Sequence, residues 1–294
     1  IDLMFKSPSN NLTMEFQGGE PLLAIDSVQY AIERALKINK KHGKKITFVI
    51  CTNLATITKE QLKFCKKHDI LLSTSYDGPK FIHDKNRVFS KGSSHDVFIK
   101  KLKLARSILG QDQISALMTT TKLTLNYPAE IINDYIKMGF NNIFLRPISP
   151  YGFAVKNQKK NKYETELFLK FYFDGLNYII ELNKKGINLS EDYATIILSK
   201  ILTPFPIGYV DLQSPAGLIN SAIVYNYNGY IYASDESRML AEMDDETFNL
   251  GHVQKSKYLD IFYGDKARKI AKYWSNEAIP GCSECGLQTF CGAD

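Results

Sequence analysis

The chain has 294 residues, 44% hydrophobic and 23% charged, a balance that fits one large or two modest globular domains and excludes a disordered polymer. Its net charge of +6 comes mostly from lysine, clustered in 37–45 and 157–162, whereas phosphate readers favour arginine forks, so no nucleic-acid partner is expected. No apolar run is long enough to span a bilayer and no signal peptide opens the sequence, which points to the cytoplasm and away from membranes.

The first half alternates. "LTMEFQG" reads as a strand and runs into Gly-Gly-Glu-Pro. "SVQYAIERALKINKKHG" has apolar residues at helical spacing and a glycine stop. "KKITFVICTN" is a strand, and "TKEQLKFCKKHD" a helix with Thr58 as N-cap. "ILLSTSYDGP" is a strand ending in a turn, followed by the helix "HDVFIKKLKLARSILG". The strand "QISALMTTTKL", the helix "PAEIINDYIKMGF" and the strand "NNIFLRPISP" complete the series. Such alternation implies a parallel sheet with helical crossovers, either doubly wound or a whole or partial barrel. Both bind ligands at the carboxyl ends of the strands. The unusual residues fall there: Gly18-Gly19-Glu20, Thr52-Asn53, Ser73, Ser75 and Asp77, Thr119 and Thr121, and Arg146.

Residues 163–202 read as helical and amphipathic, with aromatics at core spacing. The character changes after "TPFPIG", which places a domain boundary near residue 205. "SAIVYNYNGYIYAS" is two short strands about Asn228-Gly229. Of the five cysteines, Cys51 and Cys65 stand alone, while Cys282, Cys285 and Cys291 cluster near the end. An odd count without a secretion signal argues against disulfides, and clustered thiolates suit a soft metal.

The junction Gly18-Gly19-Glu20-Pro21 carries chemistry of its own. Glycines expose bare amides and carbonyls, the carboxylate can face a cationic amino group, and the proline stiffens the exit into a helix. The stretch suits the amino-acid end of a ligand. It equally suits a tight strand-to-helix turn with a solvated Glu20.

"MEFQGGEPLL" resembles the GGEP motif of radical S-adenosylmethionine (SAM) enzymes, and "LLSTSYDGP" resembles the fourth barrel strand and turn of that family. "HDKNR" with "GSSHDVFIKKLKLAR", and later "FLRPISP", are similar to the peptide-modifying members. Cys282-x2-Cys285-x5-Cys291, with "IVYNYNGYIYASDESRML" and "FNLGHV", resembles the SPASM domain, in wording nearest the maturases of the His-Xaa-Ser peptide system. The resemblance implies a partial (β/α)6 TIM-like barrel over 1–152, a helical bridge over 153–204 and a small α+β cysteine-rich SPASM-type domain over 205–294.

It implies that Gly18, Gly19, Glu20 and Pro21 hold the SAM amino acid and that Ser75 lies near the ribose, with Asn53, Asp77 and Arg146 at neighbouring strand ends. Asp77 and Arg146 are alternatively structural partners of each other or of nearby loops. Cys282, Cys285 and Cys291 would bind an auxiliary [4Fe–4S] cluster, and Asp235 would accept a substrate proton. The function implied is reductive cleavage of SAM to a 5′-deoxyadenosyl radical that modifies a residue of a ribosomally made precursor peptide. The partners implied are that peptide, a reductant such as flavodoxin or ferredoxin, and a partner maturase.

Three departures qualify the resemblance. The Cys-x3-Cys-x2-Cys loop that would hold the catalytic [4Fe–4S] cluster does not occur in the sequence, which starts at Ile1. The chain is therefore expected to be a piece of a longer protein, inactive alone. The family's next cysteine would follow Asp294. Cysteines of the first auxiliary cluster are replaced by Ala216 and Ser234, so that cluster is expected to be missing or altered. The alternatives are a degenerate, non-catalytic peptide-binding barrel and a zinc-binding α/β protein with a nucleic-acid partner.

Overall fold

A computed structural model describes residues 1–149, 162–205, 207–210, 213, 219 and 221–291. The chain forms two compact units: one comprises 1–148 and the segment ending at Asp192, the other the residues from Tyr193 on.

The first unit is built on four parallel strands, β1 (Asn11–Phe16), β2 (Lys45–Thr52), β3 (Leu71–Ser75) and β4 (Ile114–Leu117), hydrogen-bonded in sequence order. An order without reversal distinguishes this sheet from the doubly wound kind, whose order turns back at a switch point. The crossovers are helical: α1 (Ile25–His42), α2 (Lys59–Lys67), then α3 (Lys80–Asn86) with α4 (Ser94–Leu109), and α5 (Pro128–Lys137) after β4. Thr58 caps α2 as its sequence predicts. Its Oγ1 accepts from Gln61 N at 3.2 Å while Gln61 Oε1 accepts from Thr58 N at 2.9 Å, a reciprocal capping box.

Side-chain alternation sorts the sheet into two faces. Phe48, Ile50, Leu72, Ile114 and Ala116 point one way and are buried. They meet apolar stripes of the crossover helices: Val28 and Ile32 of α1, Leu62 and Cys65 of α2, Phe98 and Leu102 of α4. Burial pushes the Cys65 thiol up to about 11, so it behaves as a small apolar group. The other face carries Thr13, Glu15, Val49, Cys51, Ser73, Ser75 and Ser115, all exposed or half-buried.

Two expectations need correction. The strand read from "NNIFLRPISP" is only β5 (Asn142–Ile143). The helical stretch 163–202 is broken: α6 (Thr165–Lys184) ends, β6 (Ser190–Glu191) pairs parallel with β5, and α7 (Asp192–Leu202) follows. The break has a local cause. Gly186 adopts φ 85°, and Asn183 closes the turn by donating Nδ2 to Leu189 O at 3.0 Å and accepting from Leu189 N at 2.9 Å.

In the second unit, β7 (Val224–Tyr225), β8 (Tyr230–Tyr232) and β9 (Asn249–His252) form an antiparallel sheet, with the hairpin turn at Asn228-Gly229. Helix α8 (Asp235–Ala241) lies between β8 and β9, and α9 (Tyr258–Tyr263) and α10 (Asp265–Tyr273) follow β9. Among the described residues, no helix is long and apolar enough to cross a membrane.

Candidate functional site at the carboxyl edge of the parallel sheet

The edge begins where β1 ends. Gly18 takes φ 125°, a region closed to side chains, and no heavy atom lies within 4 Å of where a Cβ on Gly18 or Gly19 would stand. The two residues are an exposed ribbon of bare backbone. Pro21 opens the short helix Pro21–Ala24 as its first residue, where its missing N–H costs nothing.

Glu20 is not a solvated turn residue. Its Oε1 accepts from Thr52 Oγ1 at 2.5 Å and from Leu22 N at 3.2 Å, and its Oε2 accepts from Asn53 N at 2.9 Å. The carboxylate therefore ties the end of β1 to the end of β2 and holds the glycine ribbon in place. Thr52 Oγ1 also accepts from Leu54 N at 3.1 Å, and Leu54 is fully buried at φ 62°. A leucine in the left-handed region is strained, and this one is anchored by its buried side chain. Asn53 turns its side chain into its own loop, Oδ1 accepting from Ala55 N at 2.8 Å.

Ser75 ends β3 on the open face, in line with Ser73. Two inter-strand spacings, about 10 Å, separate β3 from β1 laterally. Asp77 is fully buried and pairs with Arg87: Nε lies 2.8 Å from Oδ2, and Nη2 donates to Oδ1 at 3.1 Å. Its Oδ1 also accepts from Thr119 N at 2.9 Å, which joins the ends of β3 and β4. Asp77 thus has Arg87 for its partner; pairing with Arg146, one of two alternatives in the sequence, does not occur. The Arg146 carbonyl accepts from Thr120 N at 3.3 Å, which links the chain beyond β4 to the chain beyond β5.

The second unit holds the other candidates. Ser234 is the N-cap of α8, its buried Oγ accepting from Ser237 N at 3.1 Å. Asp235 is oriented by Arg238, whose Nε donates to Oδ1 at 3.0 Å. Cys282 is half-buried, while Cys285 and Cys291 are exposed. Asn276, buried, ties this turn down, with Nδ2 donating to Gln288 O at 3.2 Å and to Cys291 O at 2.8 Å. Among the described residues no three His, Cys, Asp or Glu side chains stand close enough to hold one metal ion. Ala216 and Asp294 lie outside the described residues.

Sequence reasoning missed Glu15, Cys51, Arg87 and Asn276. The period-two pattern Thr13-x-Glu15-x-Gln17 could have found Glu15 on the open face. Arg87 and Asn276 meet their partners through tertiary contacts that no local spacing announces.

No family model matches the chain. A cysteine-type anaerobic sulfatase-maturating enzyme of Clostridium perfringens is 25% identical over 309 residues, covering 99% of this chain and 75% of the relative. The enzyme of that name from Clostridium novyi is 24% identical over 294 residues, covering 98% and 74%. Among solved structures, native anSMEcpe with bound AdoMet and Kp18Cys peptide superposes with a TM-score of 0.77 at 20% identity, over 98% of this chain and 76% of that one. Streptococcus suis SuiB bound to precursor peptide SuiA gives 0.62 at 15% identity, over 96% and 60%. The chain shares the α/β fold of these proteins, parallel sheet included.

Proposed function

We propose that the chain forms the SAM- and substrate-binding part of a radical SAM enzyme that modifies a residue within a polypeptide. On this reading the first unit is a partial (β/α)6 barrel and the second a small SPASM-type domain. The observation that carries it is the glycine ribbon at Gly18-Gly19, pinned by Glu20 at the carboxyl edge of a parallel sheet whose strands run in sequence order. Similarity to a maturing enzyme over 99% of this chain and 75% of the relative supports it.

The site fits SAM. Bare backbone at Gly18 and Gly19 is accessible for hydrogen bonds to the amino-acid end of the cofactor. Glu20 holds that ribbon through three of its own hydrogen bonds and keeps lone-pair capacity toward an ammonium group. Ser75, on β3 two strands across the sheet from β1, is proposed to lie near the ribose. Asp77, by joining Arg87 to Thr119 N, fixes the strand end that presents Ser75. Asn53 and Arg146, at neighbouring strand ends, are proposed to lie near the same cofactor. SAM, bound beside a reduced iron–sulfur cluster, supplies the hydrogen-abstracting chemistry, while this chain orients the cofactor and excludes water.

Cys282, Cys285 and Cys291 are proposed to supply thiolates to an auxiliary [4Fe–4S] cluster, a donor set whose chemistry suits iron. The residue at 234 does not fit a first auxiliary cluster: its hydroxyl caps a helix. Asp235, oriented by Arg238, is the candidate proton acceptor.

The substrate proposed is a ribosomally made peptide, as in the His-Xaa-Ser maturases, with flavodoxin or ferredoxin as electron donor. A second reading, a cysteine within a sulfatase, is favoured by the names of the relatives. Fold does not choose between them.

The test is calorimetric titration of SAM into the chain. Saturable binding is expected for the wild type, and its loss in Gly18→Val, because valine cannot adopt φ 125° without strain. Absence of binding by the wild type overturns the assignment. For the full-length gene product, reconstituted anaerobically, formation of 5′-deoxyadenosine is the second readout.

A further inference from the structure

The open face of the sheet has a definite chemical character. Across β2, β3 and β4 it presents Cys51, Ser73 and Ser115 in one lateral row, and Val49 and Leu71 in the row behind. These groups are uncharged and exposed or half-buried. The charges on the strands of this face are two. Lys45 is at the amino end of β2, and Glu15 is opposite Val49. Four residues along a strand separate their rows, about 13 Å. The carboxyl half of the face therefore carries one charge, Glu15.

Glu15 is exposed and, among the described residues, makes no ion pair. Its Oε1 accepts from Gln17 Nε2 and, at 3.2 Å, from Cys51 Sγ, both on the same face. These neutral donors fix the direction of the carboxylate without cancelling its charge, and Oε2 accepts from no described residue. The other acids of this edge are already committed: Glu20 to backbone and Thr52, Asp77 to Arg87.

We propose that Glu15 is a specificity-determining residue, and that the peptide segment lying on this face presents a lysine or arginine side chain to it. The inference rests on the peptide-modifying reading above. A carboxylate held by neutral donors on an uncharged surface favours a cation and rejects a second carboxylate. The SAM ammonium group is the competing source of a cation, and the experiment separates the two.

An mRNA-displayed library of random eight-residue peptides is selected against the wild-type chain, Glu15→Gln and Glu15→Lys, with SAM titrated into each by calorimetry. Glu15→Gln is isosteric and exposed, and far-UV circular dichroism checks its fold. The wild type is expected to enrich basic over acidic residues at one peptide position on the order of fivefold, the ratio that one partly exposed ion pair supports. Glu15→Gln should bring that ratio to near parity and Glu15→Lys should invert it, with SAM affinity unchanged in both.

The same charge preference in all three proteins overturns the proposal. So does weaker SAM binding by Glu15→Gln with peptide preference intact, which assigns Glu15 to the cofactor. Wild-type protein that binds SAM but no peptide removes both this proposal and the peptide half of the functional reading. Basic-peptide binding without SAM binding removes the cofactor assignment and leaves Glu15 as proposed.

Discussion

The two faces of the four-stranded sheet are made by the same strands, yet they do different work. Toward the helices, Phe48, Ile50, Leu72 and Ile114 are each 3% exposed or less, so that face is a packed layer. Toward the open side, Glu15, Cys51, Ser73 and Ser115 show polar groups with little apolar area. Because side chains alternate along a strand, one chain segment can bind helices and leave a polar floor at once. Polar residues in the middle of these strands are therefore compatible with a stable sheet. Most of them lie on the face that contributes least to the core; Thr52 and Thr74, buried on the helical face, are exceptions.

The largest expected effect tests that division on one strand. Ile50→Ala removes a fully buried side chain and should destabilise the first unit by about 2–5 kcal/mol, as a large-to-small core substitution does. Val49→Ala, next along β2 and facing the open side, should cost much less, about 1 kcal/mol. Urea unfolding of the two variants measures the difference. Equal losses would mean that the open face is packed as tightly as the other.

Acid should act on the helical side through His83. His83 of α3 is buried against Tyr76 and Phe98, and burial lowers it to about 4. In the neutral form its Nδ1 accepts from Asp77 N at 3.3 Å, and protonation would turn that acceptor into a donor. The unfolded chain binds this proton near 6.5, and the folded chain only near 4. The stability is therefore present above pH 6.5 and is lost as pH falls from 6.5 toward 4, by roughly 2–3 kcal/mol. His83→Gln should lack that component of the slope, so wild type minus variant isolates it. A difference that stays flat between pH 7 and pH 4 would show that His83 is accessible to protons in the folded state.

How far the sequence reached follows from the range of the forces involved. Strand–helix alternation, the cap at Thr58 and the turn at Asn228-Gly229 are local, and all were legible. Gly18-Gly19-Glu20-Pro21 was legible as a special junction, but its clamp on Thr52 and Asn53 was not, because those partners lie thirty-odd residues away. The break at Gly186 was hidden by strongly amphipathic flanks. Asp77 was recognised as a strand-end carboxylate, yet its partner Arg87 sits in a loop with no periodic signal. Ser234 read as a lost ligand and proves to be a helix cap, a role that depends on the backbone of Ser237.

The smallest effect gives the sharpest comparison, since it concerns adjacent residues of β3 with similar side chains. Thr74 faces the helices, is 2% exposed, and its hydroxyl makes no hydrogen bond to a described residue. Ser73 faces the open side and is half-buried. A buried hydroxyl without a partner costs folding free energy, and valine has nearly the shape of threonine without that group. Thr74→Val should therefore stabilise the first unit by about 1 kcal/mol, whereas Ser73→Ala should change stability by less than about 0.5 kcal/mol. The signs matter more than the sizes. If Thr74→Val destabilises instead, its hydroxyl has a partner in solution, and the helix-facing layer is not the dry core that its burial implies. If Ser73→Ala costs as much as a core substitution, the polar row of the open face belongs to the packing of the fold and is not free to meet a ligand.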